Sequence, residues 1–191
     1  MAEIVLFHHA QGLTRGVLDL AGTLRQAGHR VHTPDVFDGR VFDTLDEGIG
    51  YLQQVRSGAV RERSLRAVAE LPVELVYLGM SVGVVPAQQL AQTRPGARGA
   101  LLLYSCLPVT EFGPAWPQGV PVQVHAAERD PFFVDDGDLD AARALVASTP
   151  DAELFLYPGE AHLFADGSLP SYDEAATASL TERVLAFLRD V

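Results

Sequence analysis

The chain has 191 residues, 48% of them hydrophobic, and a formal net charge of −11. That length suits a single α/β domain, expected to span 1–191, while the charge disfavours a nucleic-acid or anionic-membrane partner. All 14 basic residues are arginine, which excludes lysine Schiff-base chemistry and a phosphate-loop lysine.

In chain order, Ile4–Phe7 reads as a strand and Thr14–Gln26 as a helix, followed by a strand at His29–Thr33. The stretch Thr44–Ala69 is helical in pattern, with Ser57-Gly58 marking a break into two helices. Strands then read at Glu74–Leu78, Ala100–Tyr104, Val120–His125 and Glu153–Tyr157. Helices read at Val82–Gln92, Asp138–Ser148 and Glu174–Arg189. Such alternation predicts parallel β-α-β units with right-handed crossovers. No apolar run approaches the ~18 residues of a membrane span. The chain opens on a strand with no charged leader, so a cytoplasmic location is the expectation.

The strand at 73–78 runs into Gly79-Met80-Ser81-Val82-Gly83, and a helical pattern follows. Strand, G-x-S-x-G and helix together make a nucleophile-elbow candidate, in which glycines let the two elements pass closely around a lifted serine. Two histidines lie downstream of Ser81. His125 falls within or at the edge of a strand and reads as a half-buried sheet residue. His162 follows the strand at 153–157 and a Pro158-Gly159 loop, which makes it the candidate base. The loop Ala126–Pro131 offers Asp130 as the acid that would hold the imidazole, with Glu128, Asp135 and Asp136 as competitors.

These residues resemble the dienelactone hydrolases, a branch of the α/β-hydrolase fold. The resemblance covers Val5–Gly12, Pro34-Asp35, the elbow Gly79–Gly83, the loop His125–Asp130 and the histidine loop Gly159–Phe164. It implies a minimal α/β-hydrolase fold: a three-layer α/β sandwich with a six-stranded parallel sheet in the order 2-1-3-4-5-6. It also implies Ala10 N–H as an oxyanion donor beside the N–H of Val82. Three departures stand out. Serine replaces the family's usual cysteine at position 81, His9 replaces its acidic residue beside the nucleophile, and Asp166 stands where an arginine would grip a substrate carboxylate. A carboxylate at 166 is expected to repel anionic substrates, and a shortened segment from Pro34 to Gly50 leaves little material for a lid. Arg40 lies in that segment without an assigned role.

The expected function is hydrolysis of small carboxylic esters or lactones by Ser81, His162 and Asp130, without a cofactor or metal. The alternatives are a non-catalytic ligand- or partner-binding protein and a thioesterase or amidase on the same fold. Candidates to line the pocket are His9, Leu13, Phe37, Phe42, Trp116, Phe132, Phe133 and Leu163, and short neutral acyl groups are the expected cargo. His8 reads as core. As strand neighbours, His8 and His9 point to opposite faces and do not chelate one ion. Cys106, the single cysteine, reads as buried and inert.

Overall fold

Short apolar runs alternating with helices bury both faces most readily as a parallel sheet between two helical layers. A computed structural model describing residues 1–56 and 58–191 has this architecture. The strands are β1 (Glu3–Phe7), β2 (Arg30–His32), β3 (Val76–Met80), β4 (Gly99–Leu103), β5 (Val122–Ala127) and β6 (Ala152–Tyr157). All pair in parallel, in the order β2-β1-β3-β4-β5-β6.

Alternation along each strand divides the core into two layers. Ile4, Leu6, Leu78, Met80, Leu101 and Leu103 pack with α1 (Arg15–Gln26) and α7 (Glu174–Asp190). Val5, Phe7, Tyr77, Leu102, Val122 and Val124 face the other way. There they meet α4 (Val84–Thr93) and α6 (Asp138–Ser148), with α2 (Leu45–Gln54) and α3 (Ala59–Ala67) at the margin. A short helix, α5 (Pro131–Val134), follows β5. Because β2 and β3 lie on opposite sides of β1, the loops after β1 and β3 flank the switch point where such folds open a crevice.

Several boundaries differ from expectation. β5 starts at Val122 and not at Val120: Pro121 has no N–H for the ladder, and the Val120 carbonyl accepts from the Trp116 indole at 2.7 Å. β3 extends to Met80, which carries Gly79 into the strand. The helix after the elbow opens at Val84, behind a 3-10 turn over Ser81–Gly83. Helical structure between 44 and 69 is indeed split in two. Thr44 and Glu47 form a reciprocal capping box at the start of α2, and Gly58 takes a left-handed conformation (φ +80°) before α3. Ser57, the other half of the expected break, lies outside the described residues.

Candidate active site

The turn after β3 forces Ser81 to φ +51°, a left-handed conformation that costs a non-glycine residue free energy. Its two glycines answer to contacts. A Cβ on Gly79 would strike the backbone of Gly83 and Val84, and one on Gly83 would strike the carbonyls of Phe7 and His8 at the end of β1. The absence of both side chains lets strand, turn and helix close up, and the Ser81 hydroxyl emerges half-buried above the sheet.

His162 arrives from the loop after β6, with its Nε2 3.0 Å from Ser81 Oγ and its Nδ1 2.6 Å from Asp130 Oδ2. Asp130 is fully buried and caps α5, its Oδ1 accepting the Phe132 N–H at 3.0 Å. Pro131 suits the first helical position because no N–H is needed there. With one carboxylate oxygen on the backbone and the other on the imidazole, Nδ1 carries the proton and Nε2 turns its lone pair to the serine. The competing acids are elsewhere: Glu128 pairs with Arg129 at 3.0 Å, and Asp135 and Asp136 are exposed. Two rings flank the imidazole, Phe132 at 4.8 Å and Tyr104 at 5.6 Å between centroids.

In the sequence Tyr104 is only the last residue of the strand expected at Ala100–Tyr104. It lies one residue past β4 with φ +68°, and its buried hydroxyl accepts the Ala165 N–H at 3.0 Å, bracing the histidine loop. Burial pushes its phenol pKa well above the ordinary range. An aromatic at a strand's end carries no sequence signal for that backbone turn.

The expected pocket residues separate. Phe132, 41% exposed, stands against His162. Phe37 is fully buried, edge-on to His8 and Tyr51, and Phe42 packs on the rings of Phe37 and Tyr51. Phe133 and Leu163 are buried, while Leu13 is half-buried at the edge of the α1–α7 core. Trp116 borders a surface depression beside α6 whose walls include none of Ser81, Asp130 or His162. Phe37, Phe133, Trp116 and Leu163 are therefore corrected to core residues, since burying a large apolar side chain contributes about 1.5–3 kcal/mol and their loops fold back to do so. A second cleft of about 280 Å³, lined by Leu52, Val55, Arg56, Gly58, Val60, Arg61, Val82, Val85 and Pro86, reaches the elbow only through Val82 and likewise includes none of Ser81, Asp130 or His162. Val82, Val85 and Pro86 share one side of the chain at helical spacing, the available signal for it. Arg40 lies over the Tyr51 ring at 5.4 Å.

His9 and Asp166 are corrected together. Both are fully buried, with His9 Nε2 2.8 Å from Asp166 Oδ2, so Asp166 presents no charge to a substrate and His9 does not line an open pocket. His8 is buried as expected, yet β1 ends at Phe7 and the two rings are separated by their partners, not by strand alternation. The His8 Nδ1–H donates to His9 O at 2.8 Å, Nε2 accepts the Val36 N–H at 3.2 Å, and burial lowers its pKa to about 4. His125 is wholly and not half buried, inside β5, where burial and the nearby Arg183 lower its pKa to about 3. Cys106 is buried and its thiol pushed up to about 12 by burial and by Asp138, the opposite of a reactive thiolate. Val82 N–H belongs to the opening turn, where backbone donors lack helical acceptors, and Ala10 is 3% exposed in the turn after β1.

Known proteins provide an independent comparison. The model of the dienelactone hydrolase family matches residues 1–191. A protein of Saccharolobus solfataricus whose assigned name is carboxymethylenebutenolidase is 31% identical over 118 residues, which cover 62% of this chain and 45% of that one. The match thus spans less than half the length of that relative. A dienelactone hydrolase-like promiscuous phosphotriesterase from metagenomic libraries superposes with TM-score 0.76 at 21% identity, covering 100% of this chain and 86% of that one. Thermogutta terrifontis esterase 2 gives TM-score 0.66 at 16% identity, over 99% and 83%. At these identities the structural likeness establishes the α/β-hydrolase fold.

Proposed function

The chain belongs to the dienelactone hydrolase family, and from that premise we propose that it is a serine hydrolase of small carboxylic esters or lactones. One observation carries the reading: Ser81 Oγ, the His162 imidazole and the Asp130 carboxylate are joined at 3.0 and 2.6 Å on a strained elbow.

In this reading Oγ attacks the acyl carbon as its proton passes to His162 Nε2, and the negative Asp130 supports the imidazolium that forms. The tetrahedral oxyanion turns to the backbone N–H groups of Val82 and Ala10, donors that typically contribute on the order of 3 kcal/mol each to lowering the barrier. The proton on Nε2 then goes to the leaving alkoxide, the acyl–Ser81 ester remains, and water activated by the same nitrogen releases the acid. Alcohols and lactone oxygens are served equally, because ring opening differs only in that the leaving group stays tethered.

The shortened segment from Pro34 to Gly50 and the acidic character of the chain support a short, neutral acyl group as the preferred cargo. Position 166 supplies no cation for a substrate carboxylate, as Asp166 is buried against His9. The decisive test combines a fluorophosphonate probe with p-nitrophenyl esters of increasing chain length, simple lactones, a thioester and an anilide. Labelling and turnover lost together in Ser81→Ala, with acetate and butyrate esters leading, are expected. No labelling and no turnover on any of them would point to a ligand-binding protein. A lead for the thioester or anilide would keep the nucleophile and change the substrate class, and preference for a carboxylate-bearing lactone would overturn the neutral-acyl assignment.

A further inference from the structure

Beside the hydrogen-bonded Ser81–His162–Asp130 chain lies a second imidazole–carboxylate pair that the proposed mechanism does not use, His9 with Asp166. We propose that this buried pair is a positioning device, which locks the turn after β1 so that the Ala10 backbone N–H is held out as an oxyanion donor. The proposal rests on the hydrolase reading above and assigns His9 a role that involves no contact with substrate.

The imidazole is committed at both nitrogens. Nε2–H donates to Asp166 Oδ2 at 2.8 Å, and Nδ1 accepts the Gln11 N–H at 3.2 Å, so His9 is held as one neutral tautomer and has no free position for moving a proton. Asp166 is in turn clamped. Its Oδ2 also accepts from Thr14 Oγ1 at 2.5 Å, and its Oδ1 accepts from the Ser168 N–H at 2.9 Å and Ser168 Oγ at 2.6 Å. Burial works to raise its pKa, but the hydrogen bonds from His9, Ser168 and Thr14 outweigh it and hold the group at about 2. The site is built to accept the carboxylate: a Cβ on Gly16, in the first turn of α1, would collide with Asp166 Oδ1.

The turn itself is gripped at several points. Gln11 donates from its side-chain amide to Phe42 O and Asp43 O, and its own carbonyl accepts the Phe42 N–H at 2.9 Å. The Ala10 carbonyl lies against Gly48 of α2, where any Cβ would strike it. His9 O accepts twice, from the Gly12 N–H at 3.0 Å and from the His8 Nδ1–H. In a trans peptide the carbonyl and the following N–H point in opposite directions, so anchoring His9 O aims the Ala10 N–H the other way. Among the described residues nothing accepts a hydrogen bond from that N–H. A backbone donor in a residue only 3% exposed, held away from the bonds that anchor His9 O and the Gln11 N–H, is placed to serve a developing negative charge. The turn also abuts the elbow, since only the missing Cβ of Gly83 allows the carbonyls of Phe7 and His8 their approach.

The test compares His9→Leu, His9→Asn and Ser168→Ala with the native protein on p-nitrophenyl acetate, each first checked for native circular dichroism and a cooperative melt. His9→Leu removes the anchor on the Gln11 N–H, and kcat is expected to fall about 10- to 100-fold with KM within about threefold, as a displaced donor acts on the transition state. His9→Asn places an amide oxygen near the Nδ1 position and is expected to recover part of kcat, a rescue that mere loss of packing would not show. Ser168→Ala, at an exposed residue that donates to Asp166, tests the chain mildly and decides the matter should the buried variants fail to fold; its kcat is expected to drop about two- to fivefold at unchanged KM. Folded His9→Leu with native kcat, or losses confined to KM, overturn the positioning role while leaving the hydrolase standing. Native protein and Ser81→Ala giving the same blank rate overturn the hydrolase and the positioning role together.

Discussion

The two imidazole–carboxylate pairs of this molecule share a chemistry and differ in what the far nitrogen faces. In His162–Asp130 the carboxylate holds Nδ1 and leaves Nε2 against the Ser81 hydroxyl, in a ring still 9% exposed. In His9–Asp166 the carboxylate holds Nε2, and Nδ1 is occupied by a backbone N–H in a ring with no exposure at all. A histidine with one nitrogen fixed and the other turned to a hydroxyl is ready to move a proton; one with both fixed is a strut. The partner atoms assign the task, since residue types and contact lengths are nearly the same.

The largest expected effects lie on the first pair. Ser81→Ala and His162→Ala are each expected to lower kcat by about 10⁴-fold or more on p-nitrophenyl acetate, measured against the spontaneous rate. Asp130→Asn should follow at roughly 10³- to 10⁴-fold, because it removes the charge and leaves the tautomer unfixed, and it also weakens the cap on α5. Its melting temperature distinguishes the two losses: a large kcat change with a small shift in melting assigns Asp130 to chemistry. Glu128→Gln, at an exposed carboxylate, should leave kcat within about twofold and serves as the control that sharpens the assignment.

On the second pair, stability in acid is a readout besides kcat. The folded pKa of Asp166, about 2 against an ordinary 3.8, is depressed, so its linked stabilisation is fully present above pH ~4 and lost as the pH falls towards 2. The ionisation-linked part amounts to roughly 2 kcal/mol. Urea melts of native and Asp166→Asn protein are therefore expected to differ by a constant amount from pH 5 to 8 and to converge below pH ~4. A difference that persists unchanged at pH 3 would show that Asp166 contributes through shape alone.

The smallest effects near neutrality, yet cumulative in acid, come from histidines outside both pairs. His8 and His125 have folded pKa values of about 4 and about 3, below the ordinary 6.5. The unfolded chain then binds protons first, so stability is expected to fall as pH drops below about 6.5, by roughly 1.4 kcal/mol per pH unit for each histidine. His125→Gln should flatten that slope between pH 6 and 4 in a series of thermal melts, whatever it does to stability at pH 8.

The alternation of apolar strands and helices determined the parallel sheet, and glycines placed two before and two after Ser81 announced the elbow, because both signals are local and periodic. His162 was legible for the same kind of reason, as the histidine in a loop just past a late strand. Asp130 was legible as a favoured position among four acids, and the choice between them needed the fold: whether a carboxylate reaches an imidazole 32 residues away depends on how two loops meet. Position 166 shows the limit. A carboxylate two residues past Phe164 reads as a charge offered to substrate, yet the structure buries it under His9, Thr14 and Ser168, 152 or more residues away for the first two. Phe37 and Trp116 turned inward for a related reason, since an apolar side chain in a loop goes wherever apolar surface can be covered. Sequence determined which backbone elements form and which residue types the loops carry. Tertiary structure alone decided which of those side chains meet, because contacts between distant loops are set by packing that no local pattern encodes.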